Sequence, residues 1–248
     1  MNILLLLSKL KRSPKMAGIR KFTNLLYYDP NFVTINISKF DTIEIDGCKF
    51  QVTDQINMNQ RIKGNPWFEG VRSTDIVVDI GANIGAITIP LAKVAKKVYA
   101  VEPLYYKELE ENIKLNGLKN IEVLKCGIGE GQEVEIEFCD RKERVSLISF
   151  RVLKETIGEQ INFLKMDGEG CEWEIEPSEL KGIRELRMEF HIPRDKVREY
   201  RKKYKEYLNW MEAENYEIYN IAYQDSRLNP FFKEDPEVRA TLKGQSAE

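Results

Sequence analysis

The stretch that most restricts the fold is IVVDI (76–80) running directly into GANIG (81–85). Ile76, Val77, Val78 and Ile80 are β-branched, which fits a short strand buried on both faces of a parallel sheet. The glycines that follow permit a sharp turn, bring backbone N–H groups close to a ligand, and point to a helix N-terminus behind them. From Asp75 onward strands alternate with helices, the pattern of βαβ units. VYAVE (98–102), IEVLKC (121–126), INFLKMD (161–167) and IRELRMEFH (183–191) read as strands two to five, and EIYNIAY (217–223) as a further strand. For a last strand only PFF (230–232) is available. Helices are expected at about 83–96, bent by Pro90, at about 104–116, stopped by Asn116-Gly117, and at 193–214, where Val197, Tyr200, Tyr204, Leu208 and Met211 recur at helical spacing. VEIEF (134–138) and VSLISF (145–150) read as an inserted hairpin.

Residues 1–70 have a different pattern. NFVTINI (32–38), TIEID (42–46) and KFQVT (49–53) are β-rich, and Asp46-Gly47 is a tight-turn signal. This segment is expected to form a helix and antiparallel appendage or lid, with the main domain over 71–248. The apolar run Ile3 to Leu7 is shorter than the roughly 7–15 residues of a secretory signal and the about 20 of a membrane span. A cytoplasmic protein with no membrane partner is expected.

With 38 Lys+Arg against 40 Asp+Glu and a net charge of -2, the chain has no global basic field, which argues against a nucleic-acid partner. Four cysteines without a CxxC pair, and a single histidine, exclude a zinc site of ordinary spacing and read as free thiols. Any histidine chemistry must pass through His191.

Glu102 closes the second strand about 20 residues beyond Gly81, where an acid in a doubly wound sheet reaches ribose hydroxyls. A dinucleotide fingerprint would place glycine where Asn83 stands, and Asp79 beside the turn would repel a pyrophosphate. Asp79 and Asn83 suit a ligand with a cationic amino-acid end, which points to S-adenosylmethionine.

Three stretches, VVDIGANIG (77–85), VYAVEP (98–103) with ENIKLNG (111–117), and FLKMDGEGCEWEI (163–175), resemble the FkbM-type family of S-adenosylmethionine-dependent methyltransferases. The resemblance implies an α/β fold with a seven-stranded, mostly parallel, Rossmann-like class I methyltransferase sheet. It implies methyl transfer to a hydroxyl of a small molecule or glycan, with Asp79, Gly81, Asn83 and Gly85 around the methionine part of the cofactor and Glu102 at its ribose. SFRVLKE (149–155) departs from that family, with Arg151 where an acid is expected.

Ligands of open α/β sheets bind beyond the carboxyl ends of the strands. Asp167 and Glu169 end strand four, and Glu189 and His191 end strand five, pointing the same way. Asp167 or His191 is the expected proton acceptor, beside Glu189, with Glu169 toward the substrate. If a divalent metal takes part, Asp167, Glu189 and His191 are its expected ligands. Two other functions stay open. The basic, tyrosine-containing stretch 194–207 suits an RNA methyltransferase or a solvated helix face, although an Asn-Pro-Pro-Tyr-type loop is missing. A cofactor-binding protein without activity is the third reading. Trp67, Phe68 and Glu69 either cover the cofactor or pack the appendage.

Overall fold

The computed structural model describes residues 42–51, 67–138, 141–193, 195–220 and 236–244. The expected seven-stranded sheet is present. β3 (Ile76–Ile80), β4 (Lys97–Val101), β5 (Ile121–Leu124), β9 (Phe163–Met166) and β10 (Glu185–Glu189) run parallel, while β12 (Glu237–Leu242) lies antiparallel between β10 and β11 (Tyr216–Asn220). The spatial order is β11-β12-β10-β9-β3-β4-β5. All five residues of β3 are buried, as its composition requires of a central strand.

Register decides what meets at the carboxyl ends. Asp79 of β3 pairs with Ala100 of β4 on one side and Lys165 of β9 on the other. On one face Val78, Ile80, Leu164, Met166, Leu186, Met188 and Phe190 form the largest core, under α3 (Phe150–Ile157) and α4 (Val197–Ala213). Each fully buried side chain of this size contributes about 1.5–3 kcal/mol. On the other face Val77, Val98 and Phe163 pack against α1 (Thr88–Ala92). α2 (Tyr106–Leu115) ends, as expected, on Asn116 with Gly117 at φ +65°.

Several expectations are corrected. α1 is five residues long instead of spanning 83–96, because Asn83 at φ +50° and Gly85 at φ +91° keep the chain in turns. Pro90 then falls in the first turn of α1, where its missing N–H costs little, and no bend is needed. α3 occupies residues read as the end of a strand and a loop. Its signals are local: Ser149 accepts a hydrogen bond from Val152 N at 3.2 Å, Phe150, Leu153 and Ile157 are buried, and Gly158 closes the helix at φ +64°. The last strand is Glu237–Leu242; PFF (230–232) and NFVTINI (32–38) lie outside the described residues.

β1 (Thr42–Ile45) and β2 (Cys48–Gln51) form the expected hairpin, with Asp46 and Gly47 both at positive φ. Ile45, Cys48 and Phe50 pack on Ile89, and one asparagine of α2 with the asparagine that caps it completes the strand edge: Asn112 Oδ1 accepts from Gln51 N at 2.8 Å and Asn116 Oδ1 from Lys49 N at 2.9 Å. Trp67 and Phe68 pack against the core around Val77, and Arg187 donates to the Glu69 carbonyl at 2.6 Å. These residues anchor a loop to the sheet and do not cover the cavity described next.

Candidate functional site

The ends of β3, β4 and β9 open into a cavity of about 570 Å³. Its floor is the Gly81 turn. Gly81 has φ +72°, and a Cβ there would lie 1.8 Å from the Asp167 carbonyl oxygen. The glycine therefore serves the approach of the β3 turn to the β9 loop. Gly85 is set differently from expectation. A Cβ on it would meet Leu109 Cδ1 at 2.7 Å, so it seats α2 and contributes nothing to the cavity lining.

Beneath the turn lies a buried charge group. Lys165 Nζ sits 3.1 Å from Asp79 Oδ1 and 3.8 Å from Asp167 Oδ2, and donates to the carbonyls of Gly81 at 2.8 Å and Ile80 at 3.2 Å. Thr88 Oγ1 donates to Asp79 Oδ2 at 2.6 Å. Burial alone would depress the Lys165 ammonium, but the charges of Asp79 and Asp167 outweigh it and its pKa is raised. Asp79, expected to meet the cofactor's ammonium, is fully buried and already holds a cation. Lys165 itself lines the cavity, although its place in the motif gave no sign of a role.

Glu102 stands on the cavity wall, where its carboxylate accepts from Asn83 N at 2.7 Å, Leu104 N at 2.8 Å and Tyr105 N at 2.9 Å. Oε1 takes the bonds from Leu104 and Tyr105 while Oε2 takes only that from Asn83 and keeps acceptor capacity, so the ribose role expected of Glu102 fits its position. The remaining wall escaped the sequence reading. Cys126 follows β5, Gly127 and Ile128 form the short strand β6 (Gly127–Ile128), and the hairpin of β7 (Glu133–Phe138) and β8 (Arg141–Ile148) adds Ile136 and Leu147. Alternation along VEIEF already placed Val134 and Ile136 on one face, and that was the available signal. An apolar wall opposite an acid and a glycine turn suits a nucleoside with a charged tail. S-adenosylmethionine has that form, and Gly81, Asn83 and Glu102, expected to meet it, all line this cavity.

At the rim, the β9 loop carries Asp167, Gly168, Glu169 and Gly170, with Glu169 at φ +55°. Buried Glu172 fixes this loop, accepting from Gly170 N at 3.0 Å and from the backbone N and ring Nδ1 of His191, the latter at 3.1 Å. His191 Nε2 is 3.7 Å from Asp167 Oδ1 and 3.5 Å from Glu169 Oε2. Burial opposes charge on this ring, yet the hydrogen bond and charge of Glu172, with Glu169 and Asp167, push its pKa up to about 9. The ring is thus an imidazolium at neutral pH, a state that cannot take a proton. Of the two expected proton acceptors, His191 is set aside on that ground, which leaves Asp167 as the candidate. Burial, and then the Asp167 charge, pushes Glu189 up to about 8.

The atoms that converge are those of Asp167, Glu169 and His191, within 4.8 Å of one another. Glu189 is not among them, so the expected metal set is also corrected. The positive charge between these carboxylates is the imidazolium's own. Arg151 is exposed on α3, 4.0 Å from Glu155, and has no part in the site. Burial raises the thiols of Cys126 and Cys171, which makes both poor nucleophiles. Cys48, Cys126 and Cys171 are free, as expected, and Cys139 lies outside the described residues.

A family model described as the TRM5/TYW2 methyltransferase domain matches residues 44–186, from the first hairpin to the middle of β10. The chain belongs to that family. Over 98 residues it is 38% identical to a tRNA(Phe) (4-demethylwyosine(37)-C(7)) aminocarboxypropyltransferase of Methanocaldococcus jannaschii, covering 38% of this chain and 37% of that protein. Over 72 residues it is 36% identical to the tRNA (guanine(37)-N(1))-methyltransferase Trm5b of Pyrococcus abyssi, covering 28% and 21%. These matches span between about a fifth and two fifths of the curated relatives' lengths. Among solved structures, M. jannaschii TYW2 in complex with AdoMet aligns with a TM-score of 0.41 at 19% identity, covering 86% of each chain.

TRM5/TYW2 membership replaces the FkbM-type resemblance. VVDIGANIG and VYAVEP build the cofactor turn and the strand-end acid, which methyltransferases of this fold share. The third stretch is accounted for by local packing: a Cβ on Gly168 would meet Cys171 Sγ at 2.2 Å, and Glu172 ties the loop to His191. The expectation of a hydroxyl acceptor on a small molecule or glycan falls with the resemblance, since the relatives are named for tRNA positions. The argument from net charge against nucleic acid falls too, because a sum over the chain does not report how charge is distributed.

Proposed function

We propose that this protein transfers a methyl group from S-adenosylmethionine to a base of tRNA. The observation that carries the reading is the match of residues 44–186 to the TRM5/TYW2 methyltransferase domain, the segment that also contributes every residue lining the cavity. Bound S-adenosylmethionine supplies an electrophilic methyl carbon on its sulfonium. The chain's own part is alignment, exclusion of water and removal of the acceptor's proton. Glu102 holds the turn and receives ribose hydroxyls. Asp167, about one-third exposed at the rim, accepts the proton, and Lys165 beneath it holds the carboxylate in place. Glu169 meets the incoming base. The acceptor atom of a stacked base is out of reach of a recessed cavity, so the nucleotide must turn out of its stack to enter.

The test is incubation of the protein with unmodified tRNA transcripts and methyl-labelled S-adenosylmethionine, followed by nucleoside mass spectrometry. A methylated nucleoside is the expected product, and its mass distinguishes a methyl from an aminocarboxypropyl group. Asp167→Asn should lower turnover by about 10²–10⁴-fold while cofactor affinity holds. Transfer to no tRNA, or to a small hydroxylated acceptor instead, overturns the proposal.

A further inference from the structure

α4 carries its charge unevenly. Arg198, Arg201, Lys202 and Lys205 stand at positions i, i+3, i+4 and i+7, all exposed, on the side opposite the buried Tyr207 and Met211. Lys202 lies 3.7 Å from Glu206, and Lys203, on the flank, 3.7 Å from Glu199. Among the described residues no carboxylate lies within 4.0 Å of Arg198, Arg201 or Lys205. Cations in the first turns of a helix oppose its dipole, so the stability of α4 does not account for Arg198 and Arg201.

The helix that carries the stripe begins beside the site. The Trp173 ring lies 5.1 Å from that of Tyr200, edge to face, and Trp173 Nε1 donates to the His191 carbonyl at 2.6 Å. The first turns of α4 thus adjoin the rim through their packed side, with the stripe across the same helix, about one helix diameter away. Around the cavity and its rim the carboxylates of Asp79, Glu102, Asp167, Glu169 and Glu172 outnumber the Lys165 ammonium and the His191 imidazolium, a field that repels phosphate. An RNA acceptor can bring only a base into that cavity, and its backbone must be held on a neighbouring cationic surface.

We infer that the Arg198–Arg201–Lys205 stripe of α4 is the surface that binds the tRNA sugar-phosphate backbone while a base occupies the cavity. The inference rests on the tRNA reading above. From Arg198 to Lys205 the helix advances about 10 Å, a length that faces two or three phosphates of one strand. The arginines present bidentate donors to phosphate oxygens, and the residues between them supply no base-reading geometry.

The test compares the wild-type protein with a variant carrying Arg198→Gln, Arg201→Gln and Lys205→Gln, all at solvent-exposed positions. Binding of unmodified tRNA transcripts is measured across a salt series, beside steady-state methylation and calorimetry with S-adenosylmethionine. The slope of log affinity against log salt should fall by about 2, at roughly 0.7–0.9 per lost phosphate contact. KM for tRNA should rise at least tenfold, while kcat at saturation and cofactor affinity stay within twofold. If the wild type methylates tRNA and the variant keeps the same KM and salt slope, the stripe is a solvated face and the inference fails alone. Loss of binding to vesicles of anionic lipid with tRNA affinity unchanged also overturns it. If the wild type neither binds nor methylates tRNA, the acceptor reading fails and the stripe's assignment falls with it.

Discussion

His191 is the residue whose chemistry the fold changes most. Three carboxylates face its ring from the β9 loop and the turn after it, and its pKa lies near 9. A histidine raised in this way stabilises the native state fully below its unfolded pKa of about 6.5, and that contribution is lost as pH rises through 9. Glu189, raised to about 8, acts in the same direction, because its native form also holds a proton that the unfolded chain has released. Unfolding free energy should therefore fall between about pH 5 and 9, with a slope approaching 1.4 kcal/mol per pH unit for one proton. Urea midpoints across this range check it, and His191→Gln should flatten the part above pH 6.5. A profile that rises through that window sinks the assignment. The sequence placed His191 at the right strand end but could not supply its protonation state. That state depends on Glu172, an acid inside a recognised motif whose burial no spacing rule foretold.

The elements were legible where one periodicity dominated. β3 reads as a central strand because four of its five residues are β-branched, and α4 because its apolar residues recur every three or four positions. α3 was obscured by VSLISF, whose alternation continues the strand pattern up to the Ser149 cap. α1 was overextended because apolar residues from Ile84 to Ala92 suit a helix, while Asn83 and Gly85 at positive φ forbid one there. The β7–β8 hairpin was recognised, but its place over the cavity is a tertiary fact. Ile136, packed with Ile84, Leu104 and Tyr105, forms part of the cavity's apolar wall. Ile136→Ser should weaken S-adenosylmethionine about tenfold by calorimetry, consistent with the loss of about 1.4 kcal/mol of apolar contact. An unchanged dissociation constant would place the cofactor away from the hairpin.

At the scale of the molecule, a second buried charge group joins the loop before β3 to two strands. Glu185 accepts from Arg184 at 2.9 Å and from Thr241 at 2.8 Å and pairs with Arg187 at 2.8 Å, while Arg184 also pairs with Asp75 at 2.6 Å. Removing the carboxylate leaves two guanidinium groups buried without it. Glu185→Ala should cost roughly 3–5 kcal/mol, read as a lowered urea midpoint with cofactor contacts untouched. A loss below 1 kcal/mol would show that water replaces the partner. Composition gave a balanced chain at this scale and hid the distribution that matters, with acids gathered on the rim and cations along one helix beside it.

Lys165 links that rim to the donor's turn. Its ammonium bonds the Gly81 carbonyl from below while facing Asp167, and the carbonyl of Asp167 occupies the space that any side chain on Gly81 would need. The two half-sites therefore share one anchor, the Lys165 ammonium. Its loss should loosen both at once, so Lys165→Met is expected to weaken S-adenosylmethionine in calorimetry and to slow transfer at saturating cofactor as well.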